Sequence, residues 1–143
     1  MNIIHSLKKN TDCTYIYRAY SEPNTLRYKF SMPVSYRDNG MWEAHAWNSV
    51  KLLWPEAPLT AFQDAMVFII SELGKIEPRF EKLIGTFERQ RLYLYERLFS
   101  RFHLSPVGGE ILCFNGVVQE AMIVEFNPKS DEEISRFYRP NCL

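Results

Sequence analysis

LRYKFSMPVSYRDNGMWEAHAWNSV, residues 26–50, is the stretch whose reading decides the fold. From Leu26 to Tyr36 every second residue is apolar or aromatic: Leu26, Tyr28, Phe30, Met32, Val34, Tyr36. Side chains alternate across an extended chain, so this spacing predicts a strand with one dry and one wet face. Asn39-Gly40 follows, the pair that most readily supplies the two positive φ angles of a type I′ hairpin turn. Counting back from that turn, Asp38 faces Met41, Arg37 faces Trp42, Tyr36 faces Glu43, Val34 faces His45 and Met32 faces Trp47. This register sends Met32 and Trp47 into the core. Arg37 and Trp42 then share the outer side, in reach of a cation–π contact. Pro33 has no amide hydrogen to give to a ladder, which marks an edge or a bulge.

Working outward, residues 1–13 read as a polar lead-in and Thr14–Ser21, TYIYRAYS, as a first strand. Beyond the hairpin, Pro55 to Pro58 ends extended structure. Thr60 with Gln63 has capping-box spacing, and Phe62, Ala65, Met66, Ile69, Ile70 and Leu73 recur as one helical stripe ending at Gly74 in the C′ position. Pro78, Phe80, Leu83, Ile84 and Phe87 predict a second helix. The segment 88–102 reads as a third, although RLYLYERL also alternates. Ser105-Pro106 and Gly108-Gly109 mark a break. A second hairpin then turns at Asn115-Gly116, between EILCF and VVQEAMIVEF. Ser130 with Glu133 opens a short terminal helix. The expectation is one α+β domain over residues 1–143. Its antiparallel sheet has about five strands from two Asn-Gly hairpins, with helices mainly on one face.

With 46% hydrophobic and 15% aromatic residues, the chain has ample material for a packed core. Its formal net charge is +0, so no global field favours DNA, RNA or an anionic membrane. Residues 75–103 are mildly basic and 104–143 mildly acidic. Cys13, Cys113 and Cys142 are odd in number and widely spaced, which argues against zinc and for a reduced, cytoplasmic setting. The start MNIIHSLKKN lacks a signal-peptide core, and AMVFII is too short to span a bilayer. No cofactor or metal motif stands in the chain.

Several groups merit weighing as sites. Glu43 and His45 lie two apart on one strand with Tyr36 opposite, a set able to do acid–base chemistry or to tie the hairpin together. Arg89, Arg91, Arg97 and Arg101 interleave with Tyr93, Tyr95 and Phe99, as on an RNA-facing helix, but Glu88 and Glu96 dilute the charge. His5 and His103 read as surface or capping residues, and Cys113 as a small buried hydrophobe. Gly108-Gly109 lacks the companions of a phosphate loop. Glu110, Glu120, Glu125, Asp131, Glu132 and Glu133 give the last third an acidic cast suited to a basic partner. Together with Arg37 and Trp42 they form the candidate partner-binding set.

The span Leu26–Gly74 resembles small bacterial immunity proteins of contact-dependent growth-inhibition and related polymorphic toxin systems. The alternating strand pair, Trp42, Trp47 and the helix TAFQDAMVFIISELG carry the likeness. It implies a non-enzymatic, cytoplasmic protein that binds and neutralises a cognate toxin domain, with no catalytic residue. The alternatives are a small enzyme using Glu43, His45 and Tyr36, and an RNA-associated protein using the Arg/Tyr helix 88–102.

Overall fold

The computed structural model describes residues 2–22, 26–44, 59–114 and 116–137. Elements run in the order β1 (Ile3–Thr11), β2 (Thr14–Ser21), β3 (Tyr28–Asp38), β4 (Met41–Ala44), α1 (Leu59–Ile76), β5 (Lys82–Glu88), a 3-10 turn (Arg89–Arg91), α2 (Leu92–Leu98), β6 (Phe102–Phe114), β7 (Val117–Pro128) and α3 (Asp131–Phe137). The chain is therefore α+β, with a mostly antiparallel, mixed set of seven strands where about five were expected. It divides into two compact units, Met1–Thr86 and Phe87–Leu143.

In the first unit β1, β2, β3 and β4 form an antiparallel meander, and β5 joins β4 in parallel. The crossover that makes a parallel neighbour needs a helix, and α1 supplies it. Asn39 (φ 49°) and Gly40 (φ 79°) form the turn between β3 and β4, as the sequence predicts. Gly40 has a second task. Its carbonyl accepts from the Glu81 and Lys82 amides, at 2.9 and 3.1 Å, and so starts β5.

The stripe read from α1 is buried: Phe62, Ala65, Met66, Ile69 and Leu73 are at most 3% exposed. These residues pack against the β-strand face that carries Tyr17, Phe30 and Met32, with Phe62 stacked on Phe30 at 6.5 Å. The helix does not stop before Gly74 but runs on to Ile76.

Three other expectations fail for physical reasons. Residues 3–11 form a strand, not a lead-in; Lys8, Lys9 and Asn10 are the polar exposed residues with which an edge strand protects itself. Lys82–Glu88 is a strand, not a helix. Leu83, Ile84, Gly85 and Phe87 are all buried, and a strand covered on both faces loses the alternation that would distinguish it from a helix. Residues 88–102 hold a 3-10 turn and only two turns of helix before β6 begins.

The second unit is a long hairpin, β6 against β7, around the rings of Phe87, Phe99, Phe102 and Phe126. The expected break at Ser105 to Gly109 lies inside β6, where the register shifts between Pro106 and Gly108. The terminal helix is capped as predicted. Glu133 N–H donates to Ser130 Oγ at 3.1 Å, and the Ser130 amide reaches Glu133 Oε1 at 3.3 Å.

Candidate functional site

The site begins with one surplus residue in β3. Asp38 faces Met41 as predicted, but the register then shifts, so that Tyr36 faces Trp42, Ser35 faces Glu43 and Val34 faces Ala44. A one-residue slip sends every later side chain to the other face. Trp42 is thereby turned into the core, at 0% exposure, instead of outward beside Arg37. Its ring meets Tyr15 at 5.5 Å and Tyr36 at 5.2 Å. The expected cation–π partner is also replaced: Arg79, not Arg37, lies over Trp42 at 5.3 Å and over Tyr36 at 4.8 Å. Glu77, itself buried, holds Arg79 at 2.7 Å.

The same slip brings Glu43 to the opposite face, where its two neighbouring strands converge on it. Arg37 Nη1 of β3 donates to Glu43 Oε1 at 3.0 Å. Thr86 Oγ1 of β5 donates to Glu43 Oε2 at 3.2 Å, and Arg37 Nη1 also reaches Thr86 Oγ1 at 3.4 Å. The parallel register, Met41 to Lys82, Trp42 to Leu83 and Glu43 to Ile84, places Thr86 one pleat beyond Glu43. Side-chain exposure is 27% for Arg37 and 16% for Glu43, enough shielding to strengthen the pair while leaving it reachable. The outcome is a fixed carboxylate with both oxygens oriented.

Of the expected acid–base set, Glu43 alone stands here. Tyr36 lies on the other face against Trp42, and His45 falls outside the described residues. Arg37 is present in a new role, as a partner of Glu43. Thr86 and Arg79 carry no local sequence signal; a strand reading of residues 82–88 would have put Thr86 on the face of Lys82 and Ile84.

A second polar pair lies under α1. His5 Nδ1 and Tyr17 Oη share a hydrogen bond at 2.5 Å, and the His5 ring stacks on Phe68 at 5.1 Å. Burial holds the His5 pKa below its ordinary value, against the opposing pull of Asp64. Burial also pushes the Tyr17 hydroxyl well above the usual phenol range. His5 is thus a packed residue of the helix–sheet interface, not a surface histidine.

The acidic residues expected to face a partner are largely engaged within the second unit. Glu120 pairs with Arg89 at 3.4 Å and Glu132 with Arg136 at 2.7 Å. Glu133 meets His103 Nε2 at 2.7 Å, and that contact, with the Ser130 bonds, lowers its pKa below the carboxylate range. Glu110 and Glu120 flank a shallow hollow of about 330 Å³ beside Gly108 and Gly109. Glu125 lies partly buried on β7, and Asp131 occupies the first turn of α3. Of the Arg/Tyr segment, Tyr95 stacks on Phe87 at 4.5 Å and Phe99 is buried, so these rings form a core and not a platform for bases. Cys113 is exposed, contrary to expectation, and Cys142 falls outside the described residues. Among the described residues no group of His, Cys, Asp and Glu can hold a metal ion.

The sequence matches no family model and no curated protein. Its fold does find matches. A probable acetyltransferase of the GNAT family from Chromobacterium violaceum superposes with a TM-score of 0.56 at 8% identity, over 79% of this chain and 56% of that one. An N-acetyltransferase from Staphylococcus aureus gives 0.54 at 9% identity, over 80% of this chain and 67% of that one. A chimeric spermidine N-acetyltransferase from Vibrio cholerae gives 0.52 at 9% identity, over 82% and 68%. The chain thus spans little more than half the length of the first of these proteins and about two thirds of the other two.

At such identity the likeness is one of fold, and it departs from what the sequence alone predicts. An acetyltransferase-like mixed sheet with a parallel β4–β5 pair replaces the expected immunity-protein architecture. The non-enzymatic toxin inhibitor falls with that architecture. Among the described residues no helix is long and apolar enough to cross a membrane.

Proposed function

We propose that this chain is an acyltransferase that moves an acetyl group from an activated donor to an amine, with Glu43 as the group that takes the amine's proton. The observation that carries the proposal is the fold shared with three acetyltransferases, joined to a carboxylate fixed at the parallel strand pair. In the step, the amine nitrogen attacks the carbonyl carbon of an acetyl thioester. The carbon–sulfur bond breaks, the thiolate leaves with the bonding pair, and nitrogen sheds a proton to Glu43.

Arg37 and Thr86 serve this step by holding the two carboxylate oxygens in place, which limits the rotamers that Glu43 must give up on reaction. Arg37 also offsets the charge of Glu43, so an approaching amine is not trapped as a tight ion pair. The 18-residue helix α1 has no acidic residue in its first turn, so the positive end of its dipole is not offset by its own side chains. A donor carrying anionic groups suits that end of the helix.

The test is thiol release from an acetyl thioester by the purified full chain, across polyamine, peptide α-amine and lysine side-chain acceptors. Amine-dependent release that falls at least 100-fold in Glu43→Gln is expected. Release at the background rate with every acceptor would overturn the proposal.

A further inference from the structure

Arg18 is an unusual cation among the described residues of the first unit. It lies mid-strand on β2, partly buried, on the face opposite α1. Its guanidinium covers the Tyr28 ring at 5.2 Å. That contact uses the flat face of the guanidinium and leaves the N–H groups of its rim uncommitted. Its Nε is buried and has no hydrogen-bond partner. No described carboxylate pairs with it. Trp42 Nε1 also lacks an acceptor, but it is a neutral donor within the core; Arg18 is a cation on the face away from α1, and its unpaired donor points to an acceptor that comes from outside the chain.

The surroundings fit an acceptor of one kind. Ser6 of β1 and Ser31 of β3 are the direct cross-strand partners of Arg18, which sets the three residues in one row across this face. Neighbouring strands stand about 5 Å apart, so the two serines are about 10 Å apart with Arg18 between them, a width that suits a group held from both sides. Lys8 lies one pleat along β1 on the same face and adds a second positive charge. Of the described acidic residues of that face, Asp38 and Glu43 belong to rows at its far end, and Glu22, at the near end, accepts from Asn2 Nδ2 at 3.0 Å. From Ser31 to Ser35, the partner of Glu43, the chain advances four residues, about 13 Å at strand rise.

We infer that Ser6, Arg18 and Ser31 form a binding site for an oxyanion, the carboxylate or phosphate group of a small molecule, on the sheet face away from α1. The guanidinium supplies charge and a planar pair of donors, and each serine supplies a hydroxyl that turns to meet the oxygen it is offered. The site is separate from Glu43 and does not depend on acyl transfer.

The experiment is a calorimetric titration of the full chain with inorganic phosphate and, separately, with glutarate, at constant ionic strength. Saturable millimolar binding of one or both is expected, and the probe that binds more tightly identifies the anion. Arg18→Met should weaken binding at least tenfold. Arg18→Lys, which keeps the charge but loses the fork, should recover only part of that loss. Arg136→Met, an equal change of charge in the second unit, should have no effect. Should Arg18→Met fail to fold, Ser6→Ala with Ser31→Ala decides the matter, with an expected loss of severalfold. Binding unchanged in these variants, or absent for both probes, would overturn the inference.

Discussion

Arg37 and Glu43 meet at 3.0 Å because β3 holds one residue more than the strand it pairs with. The surplus falls between Tyr36 and Asp38, and it decides which side of the sheet each residue of β4 occupies. Without it Trp42 would face outward and Glu43 would turn to the core face.

The pair gives a first prediction. Arg37→Met leaves a partly buried carboxylate short of one donor and should cost about 1–3 kcal/mol in urea unfolding. Glu43→Gln keeps the shape and the Thr86 contact, so its stability loss should be smaller while its acyl-transfer rate collapses. Equal losses of stability and rate in both variants would make the cluster a structural one.

Trp42 gives a second. Its ring is fully buried, so Trp42→Ala should cost about 3–5 kcal/mol, the range for removing a large core aromatic. A loss below about 0.5 kcal/mol would mean that Trp42 lies on the surface after all. Trp42→Phe should be much milder, since it also removes an indole N–H that is buried without an acceptor.

The third concerns pH. Burial lowers the His5 pKa in the folded protein, so below its unfolded value of 6.5 the unfolded chain binds the proton more readily. This contribution leaves stability flat above that value. Stability then falls as pH drops from there towards the depressed folded pKa. His5→Gln should remove that part of the slope from denaturation curves measured between pH 7 and pH 5. An unchanged slope would refute the assignment.

The fourth tests the turn. Gly40 has φ +79°, and a Cβ there would stand 2.5 Å from Glu81 Cγ. Glu81 can swing aside, but the backbone strain remains. Gly40→Ala should therefore cost about 1–2 kcal/mol. Pairing it with Glu81→Ala should recover only the steric part. Full recovery would show that strain plays no role.

These tests also mark how much of the molecule could be read in its sequence. Asn39-Gly40, the stripe from Phe62 to Leu73 and the Ser130–Glu133 box were legible because each is a local signal, complete within a few residues. The bulge near Arg37 was not, since no neighbouring residue type demands it and its effect, the burial of Trp42, shows only in the packed sheet. β5 was missed because its partner β4 lies far back along the chain, and pairing in parallel leaves no turn between them to notice. The sequence groups Glu43 with His45 and Tyr36, not with Arg37, and Thr86 lies in a segment whose spacing predicts a helix.

The parallel join of β4 to β5 bears on how the molecule assembles and comes apart. Hairpins close over two residues and form early, whereas this join must wait for the whole of α1 to come home. Amide exchange at Lys82, bonded to Gly40, should accordingly outpace exchange at Tyr17 in the middle of the meander. Warming would then loosen the seat of Glu43 while most of the scaffold still stood, and the acyl transfer proposed for it would fade at a lower temperature than that at which the protein melts.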